Sequence, residues 1–274
     1  ADFSLLWRLC HRTRTEAERP EDCWLERWSK AAQAEGARAL DRLRDGVEGA
    51  ITALGQGFLS RPANGSLREA LRDGVLTTQY YYRQLLRLVY RMVFLFAAED
   101  RELLLAPTAE PVAWERYLRH YSSRRLRDLA GRIRGTRHPD LYEAFKLLAA
   151  LLGGRGDARA LALTPLGSFL WSAAAVPHLD ARLANRDLLE AVRLLAWRES
   201  DGRLRPVDYK NLRGEELGSV YEALLELQPE LHVDGGTFAL RTVGGHERKT
   251  SGSFYTPDSL VQALLDSALE PVIA

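Results

Sequence analysis

The stretch Thr78–Leu105, TQYYYRQLLRLVYRMVFLFAAEDRELLL, decides the fold class. Leu85, Leu88, Val89, Met92, Val93, Phe94, Leu95 and Phe96 spread apolar surface around most of a helical circumference, against Arg83, Arg87, Arg91, Glu99, Asp100 and Arg101 as charged positions. A helix apolar over so wide an arc has to lie in the centre of a bundle, with other helices around it. Thr78 opens it, and the pattern predicts a helix over Gln79–Leu105. Arg87 and Arg91, one turn apart, are expected to reach solvent or to pair with carboxylates such as Glu99 or Asp100.

The flanking segments supply those neighbours. Phe3–Cys10 reads as a short apolar helix and Arg12–Pro20 as a polar loop. From Asp22, the expected N-cap, Trp24, Trp28, Leu43, Val47, Ala50, Ile51, Leu54 and Phe58 recur every third or fourth residue to about Ser60, which predicts one long helix. Gly36, Gly46, Gly49, Gly55 and Gly57 each weaken a helix by up to ~1 kcal/mol relative to alanine, and Gly36 is the first place to expect a break. Ser66-Leu67-Arg68-Glu69 has capping-box spacing, and Gly74 closes the helix it opens. After the break at Pro107–Pro111, helices are expected over Val112–Tyr121, Ser123–Arg134 and Pro139–Leu152.

Gly153–Arg159 reads as a charged linker and the best internal boundary, followed by a mixed segment, Leu161–Pro177. Asn185 is expected to cap a helix running to about Glu199, with a turn at Asp201-Gly202, extended chain over Arg205–Leu212 and a further helix over Glu215–Leu227. Leu231–Val233, Asp234-Gly235-Gly236 and Thr237–Leu240 form the clear hairpin signal. The expectation is a mainly α fold, a multi-helix bundle or connector with one small β-hairpin near 231–240. It divides into a helical domain (1–152), a helical connector (153–246) and a final segment (247–274).

Composition limits the partners. Hydrophobic residues make up 46% of the chain and charged residues 27%, which suits a globular core. The net charge of +1 means that any nucleic-acid surface must come from local clustering. Only four of the 38 basic residues are lysine, a pattern of GC-rich coding, so arginine abundance by itself says little about DNA. Cys10 and Cys23 are too few for a disulfide framework or a zinc site, which fits a reducing cytoplasm. The longest apolar run, Leu85–Ala98, falls short of the ~20 residues that cross a bilayer, and no membrane partner is expected. An initial Ala suggests a fragment of a longer protein.

The most chemically pointed stretch is Glu247–Ala263, ERKTSGSFYTPDSLVQA. Thr256 can cap a helix, Pro257 suits its first position and Asp258 complements its positive end. The helix would present Leu260, Val261, Leu264, Leu265, Ala268 and Leu269 as one apolar stripe. Gly252 and Ser253 allow a sharp turn that sets Phe254 and Tyr255 beside free amides, a place to hold a flat ring and a carboxylate. An ordinary loop-to-helix junction with two core aromatics accounts for the same residues.

GSFYTP, preceded by ERKTS and followed by a Leu/Val-rich helix, resembles the box that opens the methyltransferase domain of adenine-specific restriction-modification enzymes. The resemblance is particularly to the fused type IIG-like group and related phage-defence methylases. Tyr82–Leu104 and Glu215–Leu227, EELGSVYEALLEL, resemble further segments of that group in the same order. The resemblance implies that Gly252, Phe254, Tyr255, Thr256 and Pro257 line one side of an S-adenosylmethionine pocket. It also implies that the complete enzyme methylates the exocyclic amino group of adenine in double-stranded DNA, flipping the base. The family's glycine-rich cofactor loop and Asn/Asp-Pro-Pro-Tyr/Phe box do not occur in residues 1–274, so this stretch alone is expected to be a connector without catalytic residues. The rival reading is a non-enzymatic helical adaptor that binds DNA or another defence subunit.

Two further constellations invite chemistry. Arg116, Arg119, Arg124, Arg125, Arg127, Arg132, Arg134 and Arg137 face Asp128 alone in one stretch, with Tyr117, His120 and Tyr121 among them. The first seven are the candidate DNA-binding residues, able to neutralise phosphates; a solvated helix face is the plain alternative. Asp208-Tyr209-Lys210 has the form of half a metal-dependent nuclease site, with Asp187 or Asp201 as a second carboxylate, but the strand pair that would hold magnesium is missing from the pattern. The six histidines show no metal-ligand spacing, and no metal is expected.

Overall fold

A computed structural model describes residues 2–19, 22–200, 202–212, 214, 216, 218, 220, 224, 227–242, 258–269 and 273. Among them the chain is mainly helical, with two small antiparallel two-stranded sheets. It divides into two compact units, Ala1–Leu43 and Arg44–Ala274. The segment read as a linker, Gly153–Arg159, lies inside the second.

The first unit holds α1 (Asp2–Cys10), α2 (Arg12–Thr15) and the start of α3 (Trp24–Leu59). The loop expected over Arg12–Pro20 begins as a helical turn, because the His11 side chain accepts from the Thr13 amide and caps it. α3 starts at Trp24, two residues after the expected cap, and continues through Gly36 without interruption. Trp24 and Trp28 lie against one another with centroids 5.9 Å apart, with Arg27 over the first ring and Arg14 over the second.

In the second unit α4 (Gly65–Arg72) precedes α5 (Thr78–Asp100), the central helix. α4 does not use the Ser66 capping box. Asn64 stands at its N-cap and turns its side chain away, donating to the carbonyls of Phe58 and Arg182 and accepting from the Arg182 amide. Thr77 caps α5 by accepting from the Tyr80 amide at 3.2 Å. The helix stops at Asp100, five residues before the expected end. Glu102 takes a left-handed conformation (φ 59°), the amide of Leu103 returns to the carbonyl of Ala98, and that of Glu102 to Glu99. This is a Schellman closure without its usual glycine, so the sequence carries no stop signal.

Aromatic edges fix α5 among its neighbours. Tyr81 meets Phe238 and donates to the carbonyl of Gly55, while Phe96 meets Tyr209 and Phe94 meets Trp171. Arg87 and Arg91 neither reach solvent freely nor pair with carboxylates. Arg87 donates to the carbonyl of Ala175, and the buried Arg91 to those of Leu170 and Ser172. The short turns at Phe169–Trp171 and Ala173–Ala175 expose carbonyls that no helix satisfies, and the two arginines satisfy them.

Further helices are α6 (Pro111–Arg116), α7 (Ser123–Arg132), α8 (Asp140–Leu152) and α9 (Asn185–Ala196), with a π turn at Tyr117–Tyr121 after α6. α9 ends three residues early. Trp197–Ser200 (β1) pairs with Arg203–Pro206 (β2), with Gly202 in the turn, a second hairpin where the single-hairpin expectation had helix and extended chain. The expected hairpin forms from Leu227–His232 (β3) and Thr237–Thr242 (β4). Most of the helix expected over Glu215–Leu227 lies outside the described residues; Glu216, Gly218, Val220 and Leu224 are helical.

Asn185 does not cap its own helix. Its Oδ1 accepts from the Leu141 amide in the first turn of α8, and its Nδ2 donates to Asp140, so it ties the starts of the two helices together. Asn185→Ala is expected to cost about 1–2 kcal/mol, since a cap and a buried hydrogen bond go together. Chemical denaturation measures this; an unchanged midpoint would mean that water replaces the amide.

Candidate nucleic-acid interface

The arginine-rich stretch occupies α6, the π turn and α7, which ends at Arg132, and runs on into the loop that carries Arg134 and Arg137. Pro111 begins α6, and the Trp114 indole donates to the carbonyl of Ala106 at 3.1 Å, holding the helix to the preceding break. Ser122 caps α7 by accepting from the Arg125 amide. Glu99, near the end of α5, places its buried carboxylate against the same helix start, accepting from the Arg124 amide at 2.7 Å and from the Ser123 hydroxyl. The positive end of α7 is therefore already matched by a carboxylate of the protein.

Of the seven candidate arginines, Arg127 points inward. It makes two bonds to Asp100, at 2.9 and 2.6 Å, stands 3.7 Å from Glu99 and lies over the Phe96 ring at 5.0 Å. Burial acts to lower its pKa, but the bond to Asp100 and the charges of Asp100 and Glu99 outweigh it and raise the value. Helical spacing explains the inward turn: Leu126 and Ala130 lie on the core side of α7, and position 127 flanks them. Tyr117, read as a nucleic-acid contact, is also internal, and burial first, then Glu99, raises its hydroxyl pKa.

The other six are exposed. Arg116 donates to the carbonyl of Ala160, Arg134 lies 3.5 Å from Glu190, and Arg125 reaches the carbonyl of His120 at 3.4 Å. Arg119, Arg124 and Arg132 have no carboxylate within 4.0 Å among the described residues. Arg124 and Arg132 are two turns apart on one face of α7, with Asp128 between them. The structure thus leaves six of the seven arginines exposed, sets Arg124 and Arg132 on one face of α7, and withdraws Arg127 from them.

Beside this surface lies a cleft of about 810 Å³, lined by Pro107, Pro111, Trp114, Glu115, Leu118 and Arg119. Reading charge alone passed over it; a half-buried tryptophan between two prolines and an exposed leucine was the available signal.

The Gly252–Pro257 box lies outside the described residues. The helix after it, α10 (Asp258–Leu264), continues as a π turn to Leu269, and Leu260, Val261, Leu264, Leu265 and Leu269 are exposed. Asp208 is occupied locally: it accepts from the amide and side chain of Asn211, and the side-chain bond is the main reason its pKa is lowered. Tyr209 is buried with its hydroxyl on the carbonyl of Leu195. No group of three or more metal-ligating side chains occurs among the described residues, and no helix there is long and apolar enough to cross a membrane.

Fold and surface together define a mainly helical protein with two small hairpins among the described residues and exposed arginines on and around α7. Compared with protein-family models, curated proteins and solved structures, the chain matches none.

Proposed function

We propose that this chain is the helical connector of a cytoplasmic, S-adenosylmethionine-dependent, adenine-specific DNA methyltransferase of the restriction-modification or phage-defence type, with double-stranded DNA as its partner. The observation that carries the reading is the exposed stripe Leu260, Val261, Leu264, Leu265 and Leu269 directly after the GSFYTP box. A stripe of this kind needs a core to cover it, and the start of a methyltransferase domain supplies one. Arg119, Arg124, Arg125 and Arg132 would meet phosphates. The box residues Gly252, Phe254, Tyr255, Thr256 and Pro257 would form one wall of the cofactor pocket. One feature favours the adaptor instead: Phe3, Leu6 and Trp7 on α1 are exposed together, a face suited to another subunit.

Residues 1–274 should bind duplex DNA without sequence preference and transfer no methyl group from S-adenosylmethionine. Replacing Arg124, Arg125 and Arg132 by alanine together should weaken binding evenly across sequences and lower the salt slope by about three, one unit per phosphate contact. Titration of labelled duplexes at several salt concentrations reads both effects. Unchanged affinity removes the DNA interface, and detectable methyl transfer shows that the catalytic residues lie within these 274 residues.

A further inference from the structure

The cleft beside the arginine surface combines three chemistries that a nucleotide needs. Trp114, its indole fixed by the bond to Ala106, forms an apolar wall with Pro107, Pro111 and Leu118. Arg119 supplies a cation with no carboxylate within 4.0 Å among the described residues, and Glu115 a carboxylate with no hydrogen-bonded or charged partner among them. These two are four residues apart, the spacing at which a regular helix pairs them. The π turn at Tyr117–Tyr121, which contains Arg119, widens the backbone there, and both charges remain open to a ligand. The cleft is wide and open to solvent, with a volume of about 810 Å³, so a ligand there would stay partly exposed.

We propose that this cleft takes an unpaired nucleobase that carries an exocyclic amino group, with the base against Trp114, its amino group donating to Glu115 and its phosphate on Arg119. A paired base cannot enter, because its faces are covered by stacking and its amino group by its complement. Adenine, cytosine and guanine can donate an amino hydrogen to a carboxylate, while the one donor of thymine, its ring N3–H, lies between two carbonyl oxygens that repel the Glu115 carboxylate, so thymine is the weakest match. Single-stranded nucleic acid, or a base displaced from a duplex, is therefore the ligand. The inference rests on the reading of this surface as a nucleic-acid interface and deepens it.

The test is anisotropy with short labelled oligo(dA), oligo(dC) and oligo(dT) single strands and a mixed-sequence duplex, using residues 1–274. Oligo(dA) and oligo(dC) should bind more tightly than oligo(dT). Glu115→Gln should remove that difference, because an amide presents donors as well as an acceptor, and it should not weaken duplex binding, since it removes a negative charge beside Arg119. Trp114→Ala should weaken all three single strands roughly tenfold, the worth of one stacked base, and Trp114→Phe should restore much of it. Equal affinity for the three single strands, or a preference that survives Glu115→Gln, overturns the proposal. If the duplex still binds with a steep salt dependence in that case, only the cleft assignment fails; if neither duplex nor single strand binds, the interface reading fails with it.

Discussion

Arg127→Ala is expected to lower stability by about 3–5 kcal/mol, because it strands two carboxylates that are mostly shielded from water. Side-chain exposure is 12% for Arg127, 7% for Glu99 and 19% for Asp100. Glu99 keeps its bonds to Ser123 and the Arg124 amide, but Asp100 loses both bonds that the guanidinium gives it. The contact over Phe96 goes as well. At about 2–4 °C per kcal/mol for a domain of this size, Tm should fall by on the order of 10 °C. Arg127→Lys keeps the charge and gives up the two-pronged geometry, so it should fall between. Arg124→Ala and Arg132→Ala should stay within about 0.5 kcal/mol of the parent, as exposed positions do. A Tm for Arg127→Ala as high as theirs would mean that the three acidic and basic groups separate in solution.

That contrast locates the limit of what the sequence discloses. The central place of Thr78–Asp100 follows from its own apolar periodicity and needs no knowledge of its neighbours. The same holds for the apolar spacing along α3 and for the glycine turn between β3 and β4. Where a residue's partner is distant in sequence, its role is not written locally. Asn185 resembles an N-cap and serves the start of α8, Asn64 joins Phe58 to Arg182, and Arg91 binds carbonyls about 80 residues downstream. Arg127 is one arginine among eight until Asp100 is seen beside it. The α5 terminus was hidden for a different reason: a left-handed residue is readable when it is glycine and not when it is Glu102. For the candidate interface, charge density identified the surface but could not separate its structural arginine from its exposed ones.

The glycines of α3 reverse a local expectation, and Gly46→Ala should show it with a loss of about 2 kcal/mol. In an isolated helix the substitution stabilises by up to ~1 kcal/mol. Here a Cβ at position 46 would stand 2.4 Å from the carbonyl oxygen of Leu194, a backbone atom of α9 that no rotamer change moves aside. Gly57 meets Asp187 at the other end of α9, so the two helices run in opposite directions at close range, and the methyl group can be housed only by separating them. Overfilling a packed contact costs about 1–3 kcal/mol, enough to outweigh the gain in helix propensity. Gly65→Ala provides the opposing control. A Cβ there meets nothing within 4 Å at the start of α4, and stability should hold or rise by a few tenths of a kcal/mol. The pair isolates close approach from intrinsic propensity, since each variant adds one methyl group to a helical glycine. If thermal denaturation shows both variants stabilised, α3 and α9 do not make the contact at Leu194.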